Sequence, residues 1–295
     1  MKYGVKLEAM PLRIYDYDIV CGSSQNTVDY PEEFELERVA RVKDQGDVGA
    51  CVACTIATIG EQLFKKEMSE AWAYGSLRAD TDKKPGMYVI RALDLWRKTG
   101  IVPLSDFGIL EEMPEMRELT RKFPDLLAVA EKYRIGGYAS LDYADKVRKD
   151  KAIKSALMTD GIGLVAVSEK YFDESHCITL TGWNDKNNTY RFQNSWGADW
   201  KDGGCSEIPK EQIDAVYAVF YDEIELPFED IKKDRWSYNR IRNAYMTGIV
   251  KGVSETMFAP EKPLTREEAT VMIDRLYEVL AEKIERIYKQ QNGVE

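Results

Sequence analysis

The chain has 295 residues, 51 acidic against 41 basic side chains, a formal net charge of −10, five cysteines and one histidine. Its charges are interspersed with apolar residues and form no concentrated basic patch, which argues against nucleic acid as a partner. The length allows more than one domain. Cys21, Cys51, Cys54, Cys177 and Cys205 are an odd set with no metal-ligand spacing, a usage that suits a reducing compartment.

Met1 to Ser24 carries Lys2, Lys6, Glu8, Arg13, Asp16 and Asp18, so it lacks the apolar core of a secretory signal. No window is apolar for long enough to span a membrane. The chain as written reads as cytoplasmic; a cell-surface protein whose signal had been removed would read the same. From Val42 to Ala50 a glycine-punctuated loop contains Gln45 and runs into an apolar stretch ending near Phe64. This predicts a buried helix with Cys51 in its first turn, where orphan N–H groups and the positive end of the helix dipole favour thiolate. Cys51 and Cys54 also form a C-x-x-C pair, so a redox dithiol is an alternative reading. No nearby second pair completes a metal site, and position 54 lies one helical turn inside an apolar run, where a packed thiol is the default.

Gly86 to Leu93 leads into Asp94 to Gly100, a helix ended by its glycine. Lys151 to Leu157 is amphipathic and Gly163 to Val167 a strand. Ser175 to Trp183 reads as a buried strand that begins at the only histidine, His176. A turn marked by Asn184, Asp185, Asn187 and Asn188 leads to a second strand, Tyr190 to Asn194. The hairpin carries Asn194 towards His176. An asparagine carbonyl that accepts the imidazole N–H fixes the ring's tautomer and leaves the other nitrogen to face a thiol. Beyond Pro227 the pattern is helix, glycine-ended loop around Gly248 and Gly252, proline-bounded loop at Pro260, then a second helix. Thr265 followed by Glu268 is a capping box for that helix, which is amphipathic through Val271, Ile273, Leu276 and Leu280.

From about Tyr30 to about Leu226, Gln45-Gly46, Cys51, His176 and Asn194-Ser195-Trp196-Gly197 resemble the papain-like cysteine peptidases. The resemblance implies an α+β fold of two lobes, one helical and one β-barrel-like, with a cleft between them. It implies Cys51 as nucleophile, His176 as general base and acid, Asn194 as orienting residue and Gln45 with the Cys51 N–H as oxyanion donors. Gly86, Met87, Glu174, Ser175 and Trp196 would line the substrate site, with Trp196 covering the His176–Asn194 hydrogen bond. No cofactor or metal is implied. Several positions depart from the family pattern. Val48 stands where the family has a disulfide cysteine, Val52 replaces an aromatic residue, Ser175 replaces a carboxylate or asparagine, and Met87 replaces the second of two groove glycines. A side chain at 87 would narrow the cleft.

From Phe228 to about Leu280 the chain resembles a single S-layer homology repeat. In that family a threonine–arginine pair, here Thr265 and Arg266, contacts anionic cell-wall polymer; a protein partner or a purely structural use is the alternative. The expected organisation is an N-terminal extension (1–29), a papain-like domain (30–226), a helical module (227–283) and a tail (284–295). The expected activity is cleavage of a peptide or amide bond through a Cys51 thioester. The alternatives are a cytoplasmic acyltransferase or amide-forming enzyme that passes the same acyl group to an amine, and a non-catalytic binding protein on the same scaffold.

Overall fold

A computed structural model describes residues 5–6, 15–16, 29–37, 41–78, 86–109, 120–143, 145–221, 226–246 and 248–292. Cys21 and nearly all of the expected N-terminal extension lie outside these residues. The chain divides into two compact units, centred on Thr27–Glu223 and Ile224–Glu295. Two short strands come first, β1 (Val5–Lys6) in the larger unit and β2 (Tyr15–Asp16) in the smaller.

The larger unit is a mixed α+β structure. Its antiparallel sheet has the spatial order β5 (Gly137–Ser140), β10 (Ala215–Phe220), β6 (Ile162–Ser168), β7 (His176–Asn184), β8 (Thr189–Gln193) and β9 (Cys205–Pro209). The central strands β6, β7 and β10 are nearly continuous apolar and β-branched runs, buried along their length. A short strand, β3 (Glu33–Glu35), pairs with the end of β7. A Cβ on Gly182 would lie 2.1 Å from the Phe34 carbonyl oxygen, so only glycine lets β3 approach there.

Helix α1 (Cys51–Phe64) is buried on every side from Cys51 to Glu61, as its apolar sequence requires. It packs on β6 and β7. At the closest approach a Cβ on Gly163 would sit 2.3 Å from Ile59. Helix α2 (Glu70–Ser76) starts at Ser69, whose hydroxyl accepts the Trp72 N–H at 3.0 Å. The strand β4 (Met87–Tyr88) pairs in parallel with β1 and turns directly into α3 (Val89–Thr99). That helix stops at Gly100, where φ is +80° and a Cβ would collide with the Ala130 carbonyl. The short α4 (Leu104–Phe107) and α5 (Pro124–Ala130) follow, and α6 (Lys146–Leu157) is capped by the Asp145 carboxylate.

Two ion pairs secure the segment before α1. The Lys43 ammonium meets the Glu61 carboxylate at 2.8 Å, both side chains 1% exposed, and Arg41 meets Glu70 at 2.7 Å. Glu61 also accepts the backbone N–H groups of Met68 and Arg41, each at 3.0 Å. Buried charges persist only when paired and hydrogen-bonded, and this cluster meets both conditions. It joins residues 41–43 to α1 and α2 without a disulfide; Cys51, Cys54, Cys177 and Cys205 form no disulfide with one another.

The smaller unit is built around Leu226, Phe228, Ile231 and Tyr238, with Ile241, Tyr245 and Phe258 packed against them. Leu226, expected to close the preceding domain, therefore belongs to this core. Its helices are α7 (Tyr238–Met246) and α8 (Arg266–Asn292). The Asp230 carboxylate accepts the N–H groups of Phe258 (2.9 Å) and Ala259 (2.7 Å), bonds that hold its pKa below the usual value. The capping box forms as read: the Thr265 N–H donates to Glu268 at 2.9 Å, and the Glu268 N–H donates to the Thr265 hydroxyl at 3.1 Å. Helix α8 runs well past residue 283, where the tail was expected to begin, and its Val271, Ile273, Leu276 and Tyr277 are exposed. No described helix is long and apolar enough to cross a membrane.

Candidate active site

Cys51 is the first residue of α1. Ala50 provides no side-chain cap and the first turn holds no acidic residue, so no local side chain offsets the positive end of this helix. Cys54 lies one turn further in. Burial pushes the Cys54 thiol pKa well up, and the charge of Glu70 adds to the effect. Burial does the same to Cys177, whose thiol is bonded to Thr55, one turn beyond Cys51. The first strand of the hairpin therefore lies against the face of α1 that carries Cys51, with His176 next in sequence to Cys177.

His176 is fully buried at the start of β7. Its Nε2 lies 2.7 Å from Asn194 Oδ1. Asn194 directly follows β8, whose last residue Gln193 pairs with Thr179, so the hairpin register brings the two side chains together. The Asn194 oxygen also accepts the Ser195 N–H at 2.8 Å. An oxygen that accepts from a backbone N–H has its amide orientation set, so Nε2 of the histidine is the donor and carries the proton. Burial lowers the His176 pKa to about 4, against the opposing pull of the Asn194 hydrogen bond.

Aromatic rings enclose the imidazole on two sides. Trp196 lies tilted across it with centroids 4.9 Å apart, and Phe172 approaches edge-on at 4.6 Å. Phe172 and Trp196 touch at 5.5 Å, and Trp200 buttresses Trp196 at 5.2 Å. Trp196 and Phe172 thus both lie against the histidine ring.

Gln45 is 2% exposed and faces the segment that follows β8. Its backbone N–H donates to the Ser195 carbonyl at 2.9 Å, its Nε2 donates to the Val48 carbonyl at 3.0 Å, and its Oε1 accepts the Ser195 hydroxyl at 2.5 Å. The Gly197 N–H donates to the Lys43 carbonyl at 3.0 Å, which extends the seam between the two loops.

His176 touches Asn194 and Trp196 directly, Gln45 is linked to Asn194 through Ser195, and Cys51 begins the helix that packs on the strand of His176. The expected substrate-site residues are more scattered. Met87 is fully buried and presents no surface to a ligand, and Gly86 is buried with φ +100°. Glu174 is exposed, and the half-buried Ser175 hydroxyl is 3.4 Å from Glu169. Ser195 and Phe172 received no role from the sequence. Ser195 was flagged only by its place between Asn194 and Trp196; Phe172 stands in a loop with no periodic pattern. Among the described residues no group of three or more His, Cys, Asp or Glu is placed to hold a metal ion.

The larger unit has the papain-like fold. Xylellain, a cysteine protease from Xylella fastidiosa, superposes with a TM-score of 0.56 at 17% identity over 74% of this chain and 95% of its own. A structure described for the mite allergens Blo t 1 and Der p 1 gives 0.53 at 19% identity over 67% of this chain and 73% of its own. The recombinant stem bromelain precursor gives 0.51 at 18%, over 73% and 76%. The S-layer homology domain family matches residues 227–270, so the chain carries that domain at its C-terminal end. The Surface-layer 125 kDa protein of Lysinibacillus sphaericus is 42% identical over 60 residues, 20% of this chain and 5% of that protein. An endoglucanase of Bacillus sp. (strain KSM-635) is 41% identical over 49 residues, 17% of this chain and 5% of that protein. The chain thus spans only about a twentieth of the length of these curated relatives.

Proposed function

We propose that the larger unit is a thiol peptidase that cleaves peptide or amide bonds through an acyl-thioester on Cys51. The observation that carries this reading is the 2.7 Å contact of His176 Nε2 with Asn194 Oδ1, on a strand that packs against the helix begun by Cys51. With Nε2 committed to Asn194, Nδ1 is the nitrogen that exchanges a proton with the thiol. The Cys51 sulfur attacks the carbonyl carbon and the carbonyl π electrons move to oxygen. The Cys51 N–H and the Gln45 amide donate to that oxyanion; losing one such donor typically costs on the order of 100- to 1000-fold in rate. As the tetrahedral adduct collapses, the C–N bond breaks and His176 protonates the departing amine. Water, deprotonated by His176, then releases the acid and restores the thiol.

Mild alkylation followed by intact mass tests this. Cys51 should label first and fast, and His176→Ala should abolish that selectivity. Turnover of a fluorogenic peptide library should vanish in Cys51→Ala. Labelling of Cys51 no faster than of the partly exposed Cys205 would defeat the proposal, and amide products formed with added amines would redirect it to acyl transfer.

The smaller unit is proposed to hold the chain at a cell surface by binding anionic wall polymer. The support is the S-layer homology match and the exposure of Arg266, whose planar fork of donors suits anionic oxygens. Thr265 serves first as the helix cap. Co-sedimentation with purified cell wall tests this: Arg266→Ala should weaken binding, and equal sedimentation of both proteins would remove Arg266 from the interaction.

A further inference from the structure

The chemistry proposed above engages Cys51 and leaves two other buried thiols, Cys54 and Cys177, without a part. All three gather at the start of α1. Cys54 follows Cys51 by three residues, which puts both on one face of the helix, and Cys177 is bonded to Thr55, the next residue along. Beyond burial and, for Cys54, the charge of Glu70, an ionised Cys51 raises the pKa of both other thiols. The three sulfurs are thus electrostatic neighbours.

Backbone freedom decides which two can bond. Helix spacing sets the Cβ atoms of residues three apart at about 5–6 Å, and a disulfide needs about 3.5–4.5 Å, so one residue of the pair must shift. Cys51 can shift. As the first residue of α1 its N–H lies outside the helical ladder, which begins with the Cys54 N–H donating to the Ala50 carbonyl at 3.0 Å. Ala50 before it is outside helical geometry, at φ −111° and ψ 17°. Cys177 has no such freedom. Its backbone is paired with Val167 in a strand flanked by β6 and β8, and its thiol is held by Thr55. The chemistry divides in the same way: Cys51 occupies the uncapped positive end of the helix, which favours thiolate, while burial one turn further in keeps Cys54 a thiol.

We propose that Cys51 and Cys54 form a reversible disulfide, made by reaction with a hydroperoxide and opened by a dithiol, that switches the site off under oxidation. The Cys51 thiolate attacks a peroxide oxygen, the O–O bond breaks and hydroxide leaves, so that the peroxide is reduced by two electrons and Cys51 becomes a sulfenic acid. The Cys54 sulfur then attacks the Cys51 sulfur, the S–O bond breaks, and the Cys54 proton leaves with the oxygen as water. An external dithiol returns two electrons and two protons and is itself oxidised to a disulfide. While the bond stands, no thiolate is left to attack a carbonyl. It also spares Cys51 the further steps to sulfinic and sulfonic acid, which thiols do not reverse. The cell-surface place proposed for the smaller unit supports this reading, because a disulfide persists outside a reducing compartment. The inference rests on the peptidase reading for the activity it switches; the disulfide itself is read by mass.

Trypsin separates the two possible partners. Cys51 and Cys54 fall in one peptide, Asp44–Lys65, and Cys177 in another, Tyr171–Lys186. The reduced full chain is treated with excess hydrogen peroxide, blocked with iodoacetamide and digested. Asp44–Lys65 should emerge lighter by two hydrogens and unalkylated, and doubly alkylated when dithiothreitol precedes the block. Turnover of a peptide substrate should fall by about 10-fold or more with the disulfide and return to within about twofold of its starting rate on reduction. Cys54→Ala should match the reduced wild type in turnover within about twofold, because Cys54 takes no part in peptide cleavage. The same peroxide treatment should inactivate this variant for good, with two or three oxygens added at Cys51. Should Cys54→Ala fail to fold, the wild-type peptide map decides alone. Oxidation of Cys51 without a link, a link that joins Asp44–Lys65 to Tyr171–Lys186, or recovery of Cys54→Ala as complete as that of wild type would each overturn the inference. A reduced wild type that turns over no peptide would defeat the parent reading instead, and the mass of Asp44–Lys65 would still decide the disulfide.

Discussion

The two units carry their motif residues in opposite surroundings. In the larger unit Cys51 and His176 are fully buried, and Gln45, Asn194 and Ser195 nearly so, each held by defined hydrogen bonds or packing. In the smaller unit Thr265 and Arg266 are exposed on a helix whose apolar residues Ile273 and Tyr277 are themselves about 70% exposed. Burial lets geometry and pKa be controlled by neighbours, which acid–base chemistry needs. Exposure leaves charges hydrated and adaptable, which suits contact with a large polar surface.

The largest effect that would break this contrast is at the nucleophile. Cys51→Ala should reduce peptide turnover by on the order of 10⁴-fold or more, read by single-turnover kinetics. Substituting Arg266 should leave that turnover unchanged and alter only wall binding.

Ion pairs sharpen the comparison next. Lys43→Met leaves the buried Glu61 carboxylate without its cation and should destabilise the larger unit by about 3–5 kcal/mol in urea unfolding. Lys262→Met breaks the exposed Lys262–Glu268 pair and should leave the urea midpoint nearly unchanged. Comparable costs at the two sites would show that burial is not what separates the units.

The histidine makes a pH prediction of intermediate size. Its pKa falls from 6.5 to about 4 on folding, so the unfolded chain takes up the proton first as pH drops. The folded state's advantage is complete above pH 6.5 and is lost progressively between 6.5 and 4, to a total of roughly 3 kcal/mol. Urea midpoints of wild type and His176→Phe should therefore converge or cross in that window. Phe172→Ala or Trp196→Ala, by admitting water to the imidazole, should move the acid limb of kcat/KM upward. No movement in either variant would mean the aromatic enclosure does not control the ring's solvation.

A small and local change is expected at the cap. Thr265→Ala removes one side of the capping box and should cost about 1 kcal/mol of helix stability, seen as fraying of α8 in amide exchange with peptidase activity intact.

How much of this was legible beforehand depended on the range of the interaction. Periodicity and punctuation placed α1, the His176–Asn194 hairpin and the Thr265–Glu268 box, because each is decided by residues within a turn or two of one another. The length of α8 was not readable, since no proline or glycine signal marks its end before Gly293. Met87 was read as a narrowing of the cleft. It is buried instead, because β4 turns directly into α3 and the side chain goes inward with that turn.

By itself, the sequence brought Gln45, Cys51, His176 and Asn194 forward as a candidate set, because thiol acyl chemistry needs a nucleophile, a base, an orienting acceptor and an oxyanion donor. Tertiary structure alone decided how those groups are held: the Phe172 contact, the Lys43–Glu61 pair and the Ser195–Gln45 bond join residues 4, 18 and 150 positions apart. The Ser195–Gln45 link has no signature in local pattern, because it forms only once the sheet has brought the loop before α1 against the loop after β8.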